Sequence, residues 1–140
     1  MKINMCKTLM IDDNPMEHLI MQKMFDRYEI FEDSVHTLDA ALIINFLEEN
    51  HEDISVLPDL IFLDLNMPYS GWQFLTDLES LMPALQKQPH VFIVSSSIDG
   101  SDKQRATTFA AVKGFISKPV VKQKLEEIAG QYLPGKAWVN

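Results

Sequence analysis

Short apolar runs of strand length alternate with helix-like segments along the whole chain. The clearest run, residues 60–63, is continuous and ends at Asp64, and such runs are typical of strands covered on both faces. Residues 59–65 are therefore predicted to form a strand, and the other predicted strands are residues 7–11, 29–33, 90–94 and 113–117. Because strands that alternate with helices form βαβ units, we expect an α/β fold with a parallel sheet and helices on both faces.

Helical spacing predicts a helix after each strand. Pro15 opens the first helix, which extends to about residue 28 with Asn14 as its N-cap. The residues of this helix expected to face the sheet are Met16, Leu19, Ile20 and Met24. The other predicted helices span about residues 38–50, 71–85, 99–111 and 121–132.

Two of these helices have a predicted apolar side. In the helix at 38–50 the expected core residues are Ala41, Leu42 and Phe46, with Asn45 as a further candidate. In the helix at 71–85 they are Trp72, Phe74, Leu75, Leu78 and Leu81. Pro83 is expected to bend or stop that helix, because proline lacks an amide hydrogen and clashes with the preceding turn.

Size and composition favour one soluble domain. The chain has 140 residues, 46% of them hydrophobic, so we expect a single domain over residues 1–140, with a core at about 5–133 and a short C-terminal tail. The net charge of −8 argues against a nucleic-acid-binding surface. Cys6 is the only cysteine, which excludes an internal disulfide and favours a reducing cytoplasm. No apolar stretch has the length of a membrane span.

Four of the predicted strands end in charged or hydroxyl-bearing residues. These residues are Asp12 and Asp13, Asp64, Ser95, and the pair Lys118-Pro119. Ligands of open parallel α/β sheets bind at the carboxyl ends of the strands. Three carboxylates, a hydroxyl and an ammonium at that edge indicate a metal ion, a nucleophile and two ligands for phosphate oxygens.

The chemistry that this set suits is phosphoryl transfer. A carboxylate attacks phosphorus to give an aspartyl phosphate, and the reaction depends on positioning and charge neutralisation more than on acid–base catalysis. Asp12, Asp13 and Asp64 would repel one another at short range, and a magnesium ion, which prefers oxygen ligands, would remove that penalty. Lys118 would meet a phosphate oxygen as a point charge, and Ser95 could donate a hydrogen bond to another.

Five pieces of the sequence occur in the order and at the separations of one known family. They are Ile-Asp-Asp at 11–13, Phe-Leu-Asp-Leu-Asn-Met-Pro at 62–68, Gly71, Ser95, and Lys118-Pro119. Through them nearly the whole chain resembles the receiver domain of two-component response regulators, in its stand-alone single-domain form. The resemblance implies a flavodoxin-like, doubly wound sheet of five parallel strands in the order 2-1-3-4-5.

The resemblance assigns the acidic residues. Asp64 would be the phosphoacceptor. Asp12 and Asp13 would hold Mg2+ together with Asp64 and the backbone carbonyl of Asn66. In many family members the position of Ser95 is a threonine whose hydroxyl moves toward the phosphoryl group.

The resemblance also assigns the residues that report phosphorylation. Lys118 would bind the phosphate and couple it to the rest of the fold. Phe115 stands where receivers carry an aromatic side chain, often tyrosine, whose rotamer changes on phosphorylation. Because phenylalanine has no hydroxyl, its readout would rest on packing alone.

A signalling switch rather than an enzyme is implied, one that promotes its own phosphorylation and slow dephosphorylation. The phosphoryl donor would be a phosphohistidine on a sensor histidine kinase or a histidine phosphotransfer protein. Phosphorylation would shift the face formed by the fourth helix, fifth strand and fifth helix toward a partner-binding state. We expect a cytoplasmic protein without an output domain, whose unknown downstream target is a protein rather than nucleic acid or a membrane.

Two other functions share part of the pattern. An aspartate-nucleophile phosphohydrolase would need an acid–base Asp where this chain has Asn66. A degenerate receiver that serves only as a binding module is disfavoured, because every phosphorylation residue is present. Taken alone, Asp12-Asp13 would suit an Asx turn and helix cap.

Three local features remain open. Ser95 begins a run of three serines, so the switch hydroxyl could lie one residue further on. Only Tyr69 and Ser70 separate Pro68 from Gly71, one residue fewer than receivers commonly have. The histidines lack the spacing of metal ligands and are predicted to be surface or helix residues: His18, His36, His51 and His90.

Overall fold

The computed structural model describes residues 7–65, 71–96 and 100–132. These residues form a five-stranded sheet in the order β2-β1-β3-β4-β5, with every neighbouring pair of strands parallel. The strands are β1 (Lys7–Ile11), β2 (Asp33–Thr37), β3 (Leu60–Leu63), β4 (His90–Ser95) and β5 (Val112–Ser117). The expected fold class and strand order are confirmed.

The described helices alternate with the strands along the chain. They are α1 (Pro15–Tyr28), α2 (Ala40–Glu49), α3 (Gly71–Leu81), α4 (Gly100–Ala106) and α5 (Lys122–Tyr132). Within the described ranges, none of these helices combines the length and apolar character that crossing a membrane requires.

Each face of the sheet packs against its own pair of helices. Successive residues of a strand point to opposite faces, so Ile61 and Leu63 contact one core and Leu60 and Phe62 the other. Buried residues of α2 and α3 complete the first core, and those of α1 and α5 complete the second. Because both faces are covered, the central strand β3 is apolar along its whole length.

The core face of α1 differs from the prediction. Met16, Leu19 and Ile20 are about half exposed, at 58%, 51% and 47%, whereas Met21 and Phe25 are buried. Met24 is only partly buried against the same core. The helix carries apolar residues on two sides, so its periodicity fits two orientations, and tertiary packing selects the one that places Phe25 against the sheet.

The core face of α2 also differs from the prediction. Its buried residues are Ala40, Ile43 and Leu47, while Leu42 is 58% exposed. The Asp39 side chain accepts hydrogen bonds from the first turn and starts the helix at Ala40. Seven of the ten residues of α2 are apolar, so the sequence pattern left the orientation of the helix open.

The second strand was predicted four residues too early. Glu29 and Phe31 have left-handed backbone conformations, with φ of 55° and 50°, which an extended strand does not contain. Ile30 and Phe31 instead belong to the connection from α1 to β2, and their side chains are buried in the core that α1 and α5 complete. The true strand, Asp33–Thr37, is polar because it lies at the edge of the sheet.

Two predicted helices end early. The helix predicted at 71–85 ends at Leu81 and continues as a 3-10 turn over Met82–Ala84, in line with the expected effect of Pro83. The helix predicted at 99–111 ends at Ala106. The hydroxyls of Thr107 and Thr108 donate hydrogen bonds to carbonyls of its last turn.

The corrected face of α1 predicts unequal losses of stability. Met21→Ala should lower the free energy of unfolding by about 2–5 kcal/mol, because it leaves a cavity in the core. Leu19→Ala, in the same helix, should change it by no more than about 0.5 kcal/mol. Urea unfolding of both variants checks this, and equal losses would contradict the orientation described for α1.

Candidate functional site

Backbone hydrogen bonds that continue past the strand ends position the polar residues at the carboxyl edge. The amide of Asp12 donates to the carbonyl of Thr37 at 3.2 Å, and the amide of Asp64 donates to that of Ile11 at 3.0 Å. The amide of Lys118 donates to the carbonyl of Ser95 at 3.0 Å. Each of these residues is therefore held by the sheet itself rather than by a loose loop.

The three predicted carboxylates converge. Asp12 and Asp64 are buried, with exposures of 1% and 8%, and Asp13 is exposed. One oxygen from each lies within 4.8 Å of the others. Three carboxylates this close repel one another, so the cluster has the charge and the oxygen donors that attract a hard divalent cation.

Lys118 lies against this cluster. Its Nζ is 3.2 Å from Oδ2 of Asp12 and 3.7 Å from Oε1 of Glu17. Burial lowers the pKa of Lys118, but the charge and hydrogen bond of Asp12, with the charges of Asp64 and Glu17, outweigh burial and raise the pKa above its ordinary value. The side chain is therefore an ammonium ion at neutral pH.

Asp12 also takes part in the local turn. Its Oδ1 accepts a hydrogen bond from the amide of Asn14 at 2.9 Å, while Oδ2 faces Lys118. Asn14 in turn caps α1 by accepting from the amide of Met16 at 3.0 Å. Oδ1 of Asp12 thus forms the Asx turn, and Oδ2 belongs to the charged cluster.

Gly71 brings α3 against the segment that follows β3. Its amide donates to the carbonyl of Leu65 at 3.1 Å. A Cβ at this position would lie 2.6 Å from Cα of Leu65 and 2.7 Å from the carbonyl oxygen of Asp64. Both neighbours are backbone atoms, so only glycine allows this approach.

Some of the expected site features lie outside the described residues. They are the carbonyl of Asn66, the short loop of Tyr69 and Ser70, and the third serine of the run, Ser97. Ser95 is the last residue of β4 and is 2% exposed. It therefore lies at the carboxyl edge of the sheet, and its role as the switch hydroxyl stays a prediction.

Phe115 lies in β5, two residues before the strand ends. It is partly buried against the core that α2 and α3 share, and Nζ of Lys103 in α4 lies 6.0 Å from its ring centroid. The side chain thus contacts both the core and α4, and no described contact identifies it as a switch.

The sequence missed a pair of histidines next to the cluster. Nε2 of His18 lies 2.7 Å from the carbonyl oxygen of Asp12, and Nδ1 of His18 lies 2.9 Å from Nδ1 of His36. His36 is in β2, opposite Met10, and His90 is in β4, so both lie in strands rather than helices and are partly exposed. Because the second strand was predicted four residues too early, nothing in the sequence indicated that His18 and His36 are in contact.

Comparison with protein families gives a match over most of the chain. The family described as "Response regulator receiver domain" matches residues 8–129. No curated protein gives a significant match.

Solved structures share the fold. A two-component response regulator from Cytophaga hutchinsonii superposes with a TM-score of 0.80 at 23% identity, covering 92% of this chain and 97% of that one. A receiver domain from Saccharomyces cerevisiae, crystallised with a histidine phosphotransfer protein, superposes with a TM-score of 0.73 at 18% identity. The match covers 91% of this chain and 88% of that one. The Mn2+-bound form of a third response regulator superposes with a TM-score of 0.69 at 20% identity. The match covers 94% of this chain and 96% of that one.

The close approach at Gly71 predicts a position-specific effect of alanine. Gly71→Ala should lower the free energy of unfolding by about 1–3 kcal/mol, because the backbone around Asp64 must move. Gly130→Ala, in α5, meets no atom within 4 Å and should stabilise by up to about 1 kcal/mol through helix propensity. Thermal unfolding compares the two, and a stable Gly71→Ala variant would refute the backbone contact.

Proposed function

We propose a phosphorelay function for this chain, which belongs to the family of response regulator receiver domains. Members of this family are switches of two-component signalling rather than classical enzymes. In the proposal Asp64 accepts a phosphoryl group from a partner phosphohistidine. The observation that carries it is the buried Asp64 carboxylate, within 4.8 Å of Asp12 and Asp13 and among the charges that raise the pKa of Lys118.

The transfer exchanges one phosphorus bond for another. A carboxylate oxygen of Asp64 forms a bond to phosphorus while the phosphorus–nitrogen bond of the donor phosphohistidine breaks. The electron pair of that bond returns to the imidazole of the partner. Asp64 needs no general base for this attack, because it is already an anion.

We propose that Mg2+ is held by Asp12, Asp13 and Asp64 with the backbone carbonyl of Asn66. The oxygen donors of the acidic cluster support a hard divalent cation, and the Mn2+-bound relative supports a metal in the same fold. When bound, Mg2+ neutralises the carboxylates and draws charge from the phosphoryl oxygens. The three carboxylates and one ammonium otherwise leave the site negative, which would repel an incoming phosphoryl group.

Lys118 and Ser95 are proposed to bind the phosphoryl oxygens. The contact between Lys118 and Asp12 is 3.2 Å, and a cation on Asp12 would weaken it and release the ammonium toward a new anion. Because the amide of Lys118 donates to the carbonyl of Ser95, a movement of either residue is passed to the other. This pair is the proposed start of the structural change.

The proposed response reaches the face formed by α4, β5 and α5. Phe115 lies in β5 beside Lys103 of α4, so a shift of the β4 and β5 ends would change that packing. The change would act as a shift between two populated states of this face. A downstream protein that binds one state would read the phosphorylation of Asp64.

The proposed partners are proteins of the same signalling class. The phosphoryl donor is a sensor histidine kinase or a histidine phosphotransfer protein, and the yeast complex supports the second kind. The net charge of −8 makes direct nucleic-acid binding unfavourable. We further propose that residues 1–140 form one receiver domain that acts in the cytoplasm, that a protein is its downstream target, and that it promotes its own phosphorylation and slow dephosphorylation.

The phosphoacceptor is tested by intact mass after incubation with acetyl phosphate and Mg2+. The wild type should gain one phosphoryl group. Asp64→Asn should gain none, because the amide is not a nucleophile. Asp53→Asn serves as the control, because Asp53 is an exposed carboxylate in the loop before β3 and Asn keeps an acceptor for Ser55.

Three results would contradict the proposal. They are an unmodified wild type with both acetyl phosphate and a cognate kinase, an adduct that survives in Asp64→Asn, and rapid turnover of many small phosphate esters. The last would favour the phosphohydrolase.

Coupling by Lys118 is tested with beryllofluoride, which mimics the phosphoryl group on an aspartate. Lys118→Ala should retain Mg2+ binding and lose most of the amide NMR shifts in α4, β5 and α5. Phosphorylation by acetyl phosphate should slow by about tenfold or more, as expected for loss of a charge-assisted hydrogen bond. Lys122→Ala is the control, because this lysine is exposed and pairs with Glu126. Shifts that persist unchanged in Lys118→Ala would remove its proposed coupling role.

A further inference from the structure

His18 and His36 form a pair outside the carboxylate cluster. His18 is in α1 and His36 is in β2, and their Nδ1 atoms lie 2.9 Å apart with the ring planes at 89°. Both side chains are partly exposed, so small solutes can reach them. The pair thus joins two different elements through two ring nitrogens.

The remote nitrogen of His18 has an acceptor as its partner. Its Nε2 lies 2.7 Å from the carbonyl oxygen of Asp12, and a carbonyl oxygen only accepts hydrogen bonds. The proton of neutral His18 is therefore on Nε2. Its Nδ1 then carries a lone pair.

His36 also carries its proton on the remote nitrogen, Nε2. Its Nε2 lies 2.7 Å from Oε1 of Gln22. The orientation of that amide is fixed, because Nε2 of Gln22 donates to Asp26 at 2.8 Å and the hydroxyl of Ser34 donates to Oε1 at 3.3 Å. Nε2 of His36 must donate to Oε1, and its Nδ1 also carries a lone pair.

Two lone pairs at 2.9 Å repel each other unless a cation lies between them. Burial and the neighbouring His18 lower the pKa of His36, with Asp26 opposing them, which favours the neutral ring whose Nδ1 can bind a metal ion. A metal ion at the usual 2.0–2.1 Å from both nitrogens would subtend an angle of about 90°, and a small opening of the pair gives the tetrahedral angle. The geometry therefore suits bidentate coordination.

We propose that Nδ1 of His18 and Nδ1 of His36 chelate a divalent transition metal of the Zn2+ class. Imidazole nitrogens select Zn2+, Cu2+ and Ni2+ over Mg2+. Metal-binding histidines usually donate their other ring N–H to a carbonyl or carboxylate oxygen. The carbonyl of Asp12 and the amide oxygen of Gln22 are oxygen acceptors of this kind.

Over residues 7–65, 71–96 and 100–132, the only group of three or more potential ligands is the acidic one. The proposed site therefore takes two protein ligands from the part of the chain that the structure describes, and in the proposal water completes the coordination. Bound metal would tie α1 to β2. It would also fix the carbonyl of Asp12, whose carboxylate belongs to the phosphorylation site proposed above.

The test is a Zn2+ titration of the full chain, followed by the imidazole nitrogen NMR signals. Excess Mg2+ occupies the acidic cluster, and a Cys6→Ser background removes the thiol. The Nδ1 signals of His18 and His36 should shift while their Nε2–H signals persist. The signals of His51 and His90 should stay unchanged. This readout does not depend on phosphorylation, so it separates failure of this site from failure of the proposed function.

Variants complete the test. His18→Gln and His36→Gln should each weaken Zn2+ binding at least about tenfold, since losing a second-shell partner alone costs about 10–100-fold. His51→Gln, which changes a partly exposed histidine outside the pair, should bind as the wild type does. Zn2+ that leaves both Nδ1 signals in place, a proton found shared between them at neutral pH, or unchanged affinity in both variants would each overturn the proposal.

Discussion

The arrangement at the carboxyl edge depends on the balance of charge between Lys118 and three carboxylates. Asp12 and Asp64 are buried, and a buried carboxylate loses solvation that a nearby cation or hydrogen bonds must replace. Lys118 supplies one positive charge at 3.2 Å from Asp12, and the cluster of three remains negative around it. A site with this imbalance attracts a metal ion and, once the metal is present, a phosphoryl group.

The fold keeps these charges together against their repulsion. The amides of Asp12, Asp64 and Lys118 extend the hydrogen bonding of the sheet by one residue beyond the strands. The sheet is fixed between two apolar cores, one on each face, so its edge cannot relax without disturbing both. Gly71 adds a backbone contact behind Asp64, which limits how far the segment after β3 can move.

The sequence predicted the elements whose signals are local or continuous. The buried run before Asp64 and the Asn14 cap follow from residues near one another in the sequence. The convergence of Asp12, Asp13 and Asp64 follows from their places after parallel strands, whose carboxyl ends share one edge. The predictions from sequence were wrong where one apolar pattern fits two arrangements and tertiary contacts select between them. The face of α1, the face of α2 and the position of β2 depend on neighbours far along the chain, and the contact between His18 and His36 depends on the true register of β2.

Two groups of opposite ligand preference meet at Asp12. Its carboxylate belongs to an oxygen-rich cluster, and its carbonyl accepts from His18 of a nitrogen-rich pair. A crystal structure with Mg2+ and beryllofluoride tests the proposed role of the oxygen-rich cluster most directly. We expect beryllofluoride on the carboxylate of Asp64, with Nζ of Lys118 on a fluorine instead of at its present position beside Asp12. An adduct on another residue, or a Lys118 that still pairs with Asp12 and leaves the fluorines uncontacted, would contradict it.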